Sequence, residues 1–336
     1  MTSLAPLLEV ERLTIRFPHS EPVRDLSFRV HPGETVALVG ESGSGKSLTA
    51  LALMGLLPRA ARAGAIRLAF DGVDLRALDA PAWRGVRGRQ MAMVFQEPMT
   101  SLNPVLTIGR QITEVVRHHE GLSARAARAR AIELLDLVRI ADPQRRIDDY
   151  PHRLSGGMRQ RVMIAIAVAC RPKLLIADEP TTALDVTIQA QVLDLLDQLR
   201  RDLWMGLILI THDLGVVRQW ADRVVVMYAG GKVEEAQSDT LFAGPLHPYT
   251  RGLVAASPRI KGAHTYRNGP LLEIPGSIAS AMGESGCVFA PRCAHVRSAC
   301  RLATPPMIEA APGWLVACPV TLAQMQEAPR VVASSF

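Results

Sequence analysis

The sequence predicts an α/β fold in which a doubly wound parallel sheet carries a helical insertion. The first of three runs, Glu34–Val39, has the pattern of a buried strand. Leu174–Ala177 and Leu207–Ile210 are continuous apolar runs, as expected of strands covered on both faces. The first run ends in a glycine-rich turn, and an apolar helix, Ser47–Leu57, follows it. Between about residues 98 and 169 the chain reads as mostly helical, which predicts the insertion.

Further strands precede and follow this core. Apolar and polar residues alternate over Leu8–Phe17 and Leu26–Val30, with a polar loop between the two runs. Val224–Tyr228, turned by the glycine pair at 230 and 231, begins a terminal strand pair. His247-Pro248-Tyr249 then opens a short helix.

The composition shifts after about residue 240 and becomes punctuated by proline, glycine and cysteine from about Ser257. We therefore predict a main domain over residues 1–256 and a C-terminal accessory segment over residues 257–336. Within the main domain, the helical subdomain is expected at about residues 97–166.

The composition excludes a disordered chain and a membrane-spanning one. The 336 residues are 48% hydrophobic with a net charge of +6. The longest uncharged apolar run, Val162–Cys170, is far shorter than the ~20 residues that a transmembrane helix needs. No secretory leader pattern opens the sequence, so we expect a cytoplasmic chain. The basic residues are interleaved with acids, which favours a solvated surface over a face for anionic lipid or nucleic acid.

A phosphate-binding loop is predicted at Gly40–Ser47, which reads GESGSGKS and matches G-x-x-x-x-G-K-[ST] between a strand and a helix. Glycines let backbone N–H groups converge on phosphate oxygens, and the helix that follows presents its positive N-terminus to the anion. Lys46 would neutralise the β- and γ-phosphates, and the Ser47 hydroxyl would ligate Mg²⁺. The predicted nucleotide contacts are Gly40, Ser42, Gly43, Ser44, Gly45, Lys46, Ser47 and Leu48.

Two carboxylates end the strand that begins at Leu174. The carboxyl ends of parallel strands meet at one edge of a sheet, so Asp178 and Glu179 are expected beside the phosphate loop. Asp178 would hold Mg²⁺, and Glu179 would orient and deprotonate the attacking water. The sequence therefore predicts a nucleotide-hydrolysing site that uses ATP and Mg²⁺.

The remaining motifs give the chain its family resemblance. Leu154–Arg161 matches the signature motif of ABC-type ATPases, and Gln96 matches the Q-loop of that family. Ala183–Asp185 matches the D-loop, and His212 matches the switch histidine. All occur in family order over residues 7 to about 240, so the chain resembles an ATP-binding subunit of an ABC transporter. The resemblance implies a P-loop NTPase core of the ABC ATPase type.

This resemblance implies a head-to-tail dimer in which ATP lies between one phosphate loop and the signature motif of the other cassette. One subunit then cannot complete its own site. The catalytic residues implied are Glu179 as general base, His212 on the γ-phosphate, Gln96 on metal and water, and Lys46. The nucleotide contacts implied also include Ser155, Gly156, Gly157, Asp185, Gln96 as a further magnesium ligand, and Phe17 stacked on adenine. For Phe17 a position in the apolar core is the alternative.

Three segments narrow the resemblance to the dipeptide/oligopeptide and nickel importer branch: Phe95–Pro104, Pro180–Thr187 and His247–Thr250. That branch implies an ATPase subunit at the cytoplasmic face of the inner membrane that energises peptide import. Its implied partners are a second, paralogous ATPase subunit, two transmembrane permease subunits and an extracytoplasmic solute-binding protein, with no nucleic acid. After Ile274-Pro275-Gly276 the chain departs from the branch, because Ser277–Ser280 stands where prolines are usual. Nickel or another small solute is therefore the alternative cargo.

Four of the five cysteines fall near the C-terminus, at Cys287, Cys293, Cys300 and Cys318. Their C-x5-C-x6-C-x17-C spacing fits neither zinc ribbons nor the usual ferredoxin run. The branch resemblance implies that they ligate a [4Fe–4S] cluster. Zn²⁺ and unligated thiols are the alternatives, whereas Cys170 stands apart and is expected to be a small apolar core residue.

Two other functions compete with the importer. A soluble ABC ATPase acting on nucleic acid would usually carry two cassettes or a long coiled coil, and the sequence contains neither. A catalytically inactive regulatory subunit would lack a residue that the chemistry requires. Here Lys46, Asp178, Glu179 and His212 all match the motifs.

Overall fold

The computed structural model describes residues 5–96, 101–182, 184–257, 273–281 and 284–321. Several predicted features lie partly outside these ranges. They are the start of the helical subdomain at residue 97, positions 97–100 of the Phe95–Pro104 segment, Ala183 of the D-loop, and residues 258–272, 282–283 and 322–336 of the accessory segment.

The described residues form two sheets and the helices around them. The strands are β1 Leu8–Phe17, β2 Ser20–Val30, β3 Thr35–Val39, β4 Arg62–Gly64, β5 Arg67–Phe70, β6 Val73–Asp74, β7 Met91–Val94, β8 Leu174–Asp178, β9 Gly206–Ile210, β10 Arg223–Tyr228, β11 Gly231–Gln237, β12 Ile308–Ala311 and β13 Trp314–Val316. The helices are α1 Lys46–Leu53, α2 Ala80–Val86, α3 Ile108–Glu120, α4 Ala124–Leu137, α5 Pro143–Arg146, α6 Gly156–Val168, α7 Val186–Leu203, α8 Leu214–Trp220, α9 Ser238–Ala243 and α10 Pro248–Ala256.

The main sheet confirms the predicted α/β fold. Its strand order is β12-β13-β11-β10-β3-β9-β8-β7, and the run from β10 to β7 is parallel. Every residue of β3, β8 and β9 is buried. Alternate residues face different cores, since Leu174 and Ile176 pack with β1 and β2 whereas Leu175 and Ala177 pack with the helical insertion. Both faces are therefore covered, which explains the continuous apolar runs.

A second, antiparallel sheet packs against α1. Its order is β2-β1-β5-β6, with β4 also paired to β1. The turn between β1 and β2 is shorter than the sequence predicts, because β1 ends at Phe17 as predicted but β2 begins at Ser20 and not at Leu26. Helix α1 is shorter than predicted and ends at Leu53, since Gly55 takes a left-handed conformation with φ of +61°.

The predicted helical insertion contains α3 to α6, between β7 and β8. Serine or threonine side chains cap three of these helices at their N-termini: Thr107 on α3, Ser123 on α4 and Ser155 on α6. The buried faces share one apolar core, against which the half-buried Cys170 packs. Burial raises the pKa of the Cys170 thiol to about 11, as expected for an inert core cysteine.

The C-terminal segment extends the main sheet. Strand β13 pairs with β11, which the sequence places at the end of the sheet, and β12 pairs with β13. Buried Glu234 of β11 accepts hydrogen bonds from the backbone N–H groups of Leu246 and His247 and from Trp314 Nε1. Through Trp314 this carboxylate joins β13 to β11, 80 positions earlier in the chain, whereas the sequence predicts an accessory segment from residue 257. That boundary stays a prediction.

Helices long and apolar enough to cross a bilayer do not occur within the described ranges.

Candidate functional site

The phosphate loop runs from the end of β3 into the first turn of α1, at the carboxyl edge of the main sheet. Gly40 and Gly45 have φ values of +150° and +97°. A β-carbon on Gly40 would lie 2.2 Å from the Met227 carbonyl oxygen, and one on Gly45 would lie 2.4 Å from that of Pro22. Both positions therefore require glycine for conformation and for space.

Lys46 begins α1 and is only 6% exposed. Its Nζ donates to the carbonyl oxygens of Gly40 and Glu41, at 2.8 and 2.9 Å, and to Ser44 Oγ at 3.4 Å. Burial lowers the pKa of Lys46, while the nearby Glu179 and Asp178 carboxylates act in the opposite direction. The loop therefore holds one ammonium group inside its own curve, where it can meet an anion.

A pair of oxygen donors lies beside the loop. Ser47 Oγ donates to Asp178 Oδ1 at 3.1 Å, which connects α1 to the end of β8. Asp178 is 5% exposed, and burial raises the pKa of its carboxyl group. A hydroxyl and a carboxylate next to a phosphate site are a donor set that suits Mg²⁺, which takes few protein ligands and completes its shell with phosphate and water.

Glu179 contacts two other residues that the sequence predicts for the site, Gln96 and His212. Gln96 Nε2 donates to Glu179 Oε2 at 3.0 Å, and His212 Nδ1 lies 3.3 Å from Glu179 Oε1. The backbone of Glu179 has a φ of +46°, an unfavourable conformation for a residue with a side chain. That turn directs the carboxylate out of the sheet toward Gln96, which follows β7, and His212, which follows β9.

These side chains line a cavity of about 500 Å³ against the first half of the phosphate loop. The lining contains three residues of the loop and three predicted catalytic side chains, together with two leucines: Gly40, Glu41, Ser42, Gln96, Glu179, His212, Leu214 and Leu253. A phosphate group on the loop would therefore face a carboxylate, an amide and an imidazole.

The predicted signature and D-loop residues lie elsewhere. Ser155 caps α6 by accepting a hydrogen bond from Met158 N at 3.3 Å, and Gly156 and Gly157 begin that helix. Asp185 caps α7 through Ile188 N at 3.0 Å. None of these four is among the described residues that line the cavity beside Glu179.

Phe17 and Leu48 occupy half-buried positions. Both pack against the apolar core under the antiparallel sheet. Phe17 ends β1 and pairs across the hairpin with Ser20. Its role against adenine stays a prediction, because a core position and a position at the edge of a base site are both compatible with this placement.

The sequence analysis missed several residues that support the site. Thr182 Oγ1 donates to Glu179 Oε2 at 2.9 Å, and Tyr249 Oη accepts from Glu41 N at 2.9 Å. Arg292 Nη1 donates to both carboxylate oxygens of Glu41, at 3.0 and 2.9 Å. Thr182 could have been found from its position one turn after Glu179. No sequence signal joins Arg292 to a residue 251 positions earlier.

The four C-terminal cysteines are all free, with Cys300 and Cys318 buried and Cys287 and Cys293 half-buried. Burial raises the pKa of the Cys287 and Cys293 thiols, and the neighbouring thiols raise both further. Across the described ranges, no three histidine, cysteine, aspartate or glutamate side chains are placed to hold a metal ion. The predicted [4Fe–4S] cluster and its zinc alternative find no support in this arrangement.

Two family models match the chain. The model described as "ABC transporter" matches residues 23–182, a range that contains the phosphate loop and the Asp178-Glu179 pair. The model described as "Oligopeptide/dipeptide transporter, C-terminal region" matches residues 233–300. The second match begins in β11 and includes three of the four clustered cysteines.

Known proteins resemble the chain in sequence and in fold. A Brucella abortus (strain 2308) protein named "Putative peptide import ATP-binding protein" is 52% identical over 325 residues, which cover 95% of this chain and 96% of that relative. The CbiO1 subunit of an ABC transporter complex from Clostridium perfringens superposes with a TM-score of 0.62 at 26% identity, covering 71% of this chain and 91% of CbiO1. A dimeric ATP-binding cassette bound to ADP and Pi superposes with a TM-score of 0.60 at 26% identity, covering 69% and 98% of the two chains.

Proposed function

The chain belongs to the family of ABC transporter ATP-binding proteins, and we propose that it hydrolyses ATP to energise the import of di- and oligopeptides. The main observation in support of ATP hydrolysis is that Gln96, Glu179 and His212 lie together beside the phosphate loop. What supports a peptide cargo is the near full-length identity to a relative named for peptide import, together with the matched oligopeptide/dipeptide C-terminal region.

The phosphate loop would bind the ATP phosphates through its backbone N–H groups, the N-terminus of α1 and the Lys46 ammonium. Ser47 and Asp178 would hold Mg²⁺, which neutralises phosphate charge when it is bound. Because Lys46 is already fixed by the Gly40 and Glu41 carbonyl oxygens, little reorganisation is needed when the anion arrives.

Glu179 would accept the proton of the attacking water. Its carboxylate is fixed by hydrogen bonds from Gln96 and Thr182, which leaves its other oxygen toward His212. His212 would contact the γ-phosphate, since it lies across the same cavity from Ser42. These fixed donors position the base before the reaction, which is the usual source of catalytic power in such sites.

A second cassette would complete the site. Ser155, Gly156 and Gly157 form the N-terminus of α6, an anion-binding feature that the cavity beside Glu179 does not use. A neighbouring subunit placed head to tail would receive this helix end on its own γ-phosphate. The dimeric state of the ADP-bound cassette similar to this chain supports such pairing. We expect the second cassette to be a paralogous subunit.

The transporter would also contain two transmembrane permease subunits and an extracytoplasmic solute-binding protein, with this chain at the cytoplasmic face of the inner membrane. We expect the helical insertion α3–α6 to contact the permease. It begins soon after Gln96 in the chain, and the Gln96 side chain is hydrogen-bonded to Glu179. Gln96 would report the state of the nucleotide to the membrane subunits.

Uptake of labelled di- and oligopeptides in the source cell tests this function. We expect Lys46→Ala and Glu179→Gln each to abolish ATP-dependent peptide uptake while the protein is still expressed, because one weakens phosphate binding and the other removes the base. Lys173→Ala and Glu133→Gln are matched controls, since both residues form ion pairs on exposed surface and should leave uptake unchanged.

Unchanged peptide uptake in both site variants would refute the peptide cargo. The ATPase assignment would then be tested with nickel and other small solutes, the alternative cargoes of this importer branch. Loss of uptake in the two control variants would show that the assay reads protein level and not the site.

A [4Fe–4S] cluster on Cys287, Cys293, Cys300 and Cys318 is the cofactor proposal that the branch resemblance adds. The four thiols lie close enough to interact electrostatically, and they would bind the cluster as thiolates. If the cluster forms, anaerobically purified protein contains four iron and four acid-labile sulfide per chain, and Cys300→Ser removes both. Cys170→Ser, outside the cluster, is the control. Protein that is folded but free of iron and sulfide contradicts the proposal.

A further inference from the structure

A second cavity touches the phosphate loop, on the side away from Glu179. Its volume is about 530 Å³, and Gly43 of the loop forms part of its floor. The β1–β2 hairpin lines one side through His19 and Pro22. The C-terminal segment lines another side through Ile278 and Ala281.

The two cavities differ in chemistry. The catalytic cavity presents the carboxylate, amide and imidazole groups of Glu179, Gln96 and His212. The second cavity has a mostly apolar surface, to which Pro22, Ala229, Ile278 and Ala281 contribute. The hairpin adds polar groups at its side, from His19, Ser20, Glu21 and Arg24. The two ends of a nucleotide differ in the same way, because the phosphate end is charged and the planar base prefers apolar surroundings. A phosphate chain bound on the loop between the two cavities would have its γ end beside Glu179 and its nucleoside in the second cavity.

The wall from the C-terminal segment is held against the loop by a buried ion pair. Arg292 is 4% exposed at its side chain, and its Nη1 contacts both oxygens of Glu41. The same guanidinium donates from Nε to Pro275 O at 2.7 Å and from Nη2 to Ile274 O at 3.0 Å. Because Glu41 belongs to the phosphate loop, Arg292 connects the backbone just before Ile278 directly to that loop.

The side chain of Ile278 packs against the backbone of the phosphate loop at Gly43. Ile278 Cγ2 lies 3.9 Å from the point where a β-carbon on Gly43 would stand, which is van der Waals distance. Ile278 begins a 3₁₀ turn that ends at the buried Ala281. The turn therefore places two apolar side chains beside the middle of the phosphate loop.

We propose that Ile278 and Ala281 form one wall of the adenosine site, so that the C-terminal segment takes part in nucleotide binding. The proposal rests on the ATP site described above and adds a wall to it. The hairpin that follows Phe17 supplies the opposite wall. The nucleoside would then lie between the N-terminal hairpin and a turn more than 250 residues later in the chain.

Binding of ADP and of inorganic pyrophosphate to the full chain tests the proposal, each measured by calorimetry with Mg²⁺. The two ligands share a diphosphate, and only ADP carries adenosine. We expect Ile278→Asp to weaken ADP binding about tenfold, because a charge replaces an apolar wall, and to leave pyrophosphate binding unchanged. Ile278→Ala should weaken ADP binding about threefold and should also leave pyrophosphate binding unchanged.

Leu302→Asp is the matched control, since Leu302 is in the same segment and 80% exposed. It should bind both ligands as the unaltered chain does. Unchanged ADP affinity in the two Ile278 variants overturns the proposal. If Ile278→Asp lowers the melting temperature, the result with Ile278→Ala decides. Failure of the unaltered chain to bind either ligand would instead refute the ATP site itself.

Discussion

Glu179→Gln is expected to lower the rate of ATP hydrolysis by the purified chain about a hundredfold or more, the usual contribution of a general base. A second copy stands in for the paralogous subunit in this assay. Glutamine keeps the size of the side chain and the hydrogen bond from Thr182 but cannot accept the proton of the attacking water. ATP binding should persist, because the change removes a negative charge from the cavity that would receive the γ-phosphate.

Steady-state phosphate release and equilibrium ATP binding, measured on the same preparation, separate the two effects. Glu133→Gln is the control, since Glu133 is exposed on α4 and pairs only with Arg130 among the ion pairs of the described residues. Hydrolysis by Glu179→Gln within about tenfold of the unaltered rate would remove Glu179 from the role of base.

Ser155→Asp is expected to abolish hydrolysis without weakening nucleotide binding by the single chain. Aspartate caps a helix as well as serine does, so the N-terminus of α6 should stay folded. The added negative charge would face the γ-phosphate held by the other cassette, and like charges brought together at an interface cost several kcal/mol. Because each ~1.4 kcal/mol corresponds to a factor of ten, we expect hydrolysis to fall at least about a hundredfold, close to background.

The control is Ser123→Asp, which makes the same change at the N-cap of α4, another exposed helix end. A mixing experiment then tests the head-to-tail arrangement. Ser155→Asp keeps its phosphate loop and Lys46→Ala keeps its signature motif, so a mixture of the two inactive variants should regain hydrolysis. If the mixture stays inactive, or if Ser155→Asp hydrolyses ATP normally, the site is not shared between cassettes.

Local sequence predicted the chemistry of this protein well where neighbouring residues supply it. The phosphate loop depends on glycines and on the strand and helix that flank them, all within Thr35–Leu53. The apolar runs of β3, β8 and β9 identified buried parallel strands because no face of those strands needs polar side chains. The end of α1 was less predictable, since Gly55 ends the helix before Pro58 does.

Contacts between residues far apart in the chain were harder to predict from the sequence. Gln96 and Glu179 were each assigned from motifs, but their 3.0 Å hydrogen bond depends on the adjacent parallel pairing of β7 and β8. The C-terminal segment was predicted as an accessory unit because it is rich in proline, glycine and cysteine. In the structure β13 pairs with β11, and the buried Glu234 carboxylate joins both to the chain around His247, contacts that composition does not predict.

Motif order and spacing were therefore sufficient to establish the family and the reaction, because the phosphate loop and the Asp178-Glu179 pair are each a continuous stretch of the chain. The folded structure alone showed which residues of the C-terminal segment lie beside the phosphate loop. The Arg292–Glu41 ion pair and the Ile278 wall join the two ends of the chain, and no local pattern encodes such a contact. Arg292 can stay buried only because the carboxylate of Glu41 and two carbonyl oxygens meet its guanidinium there, a balance that exists once the chain has folded.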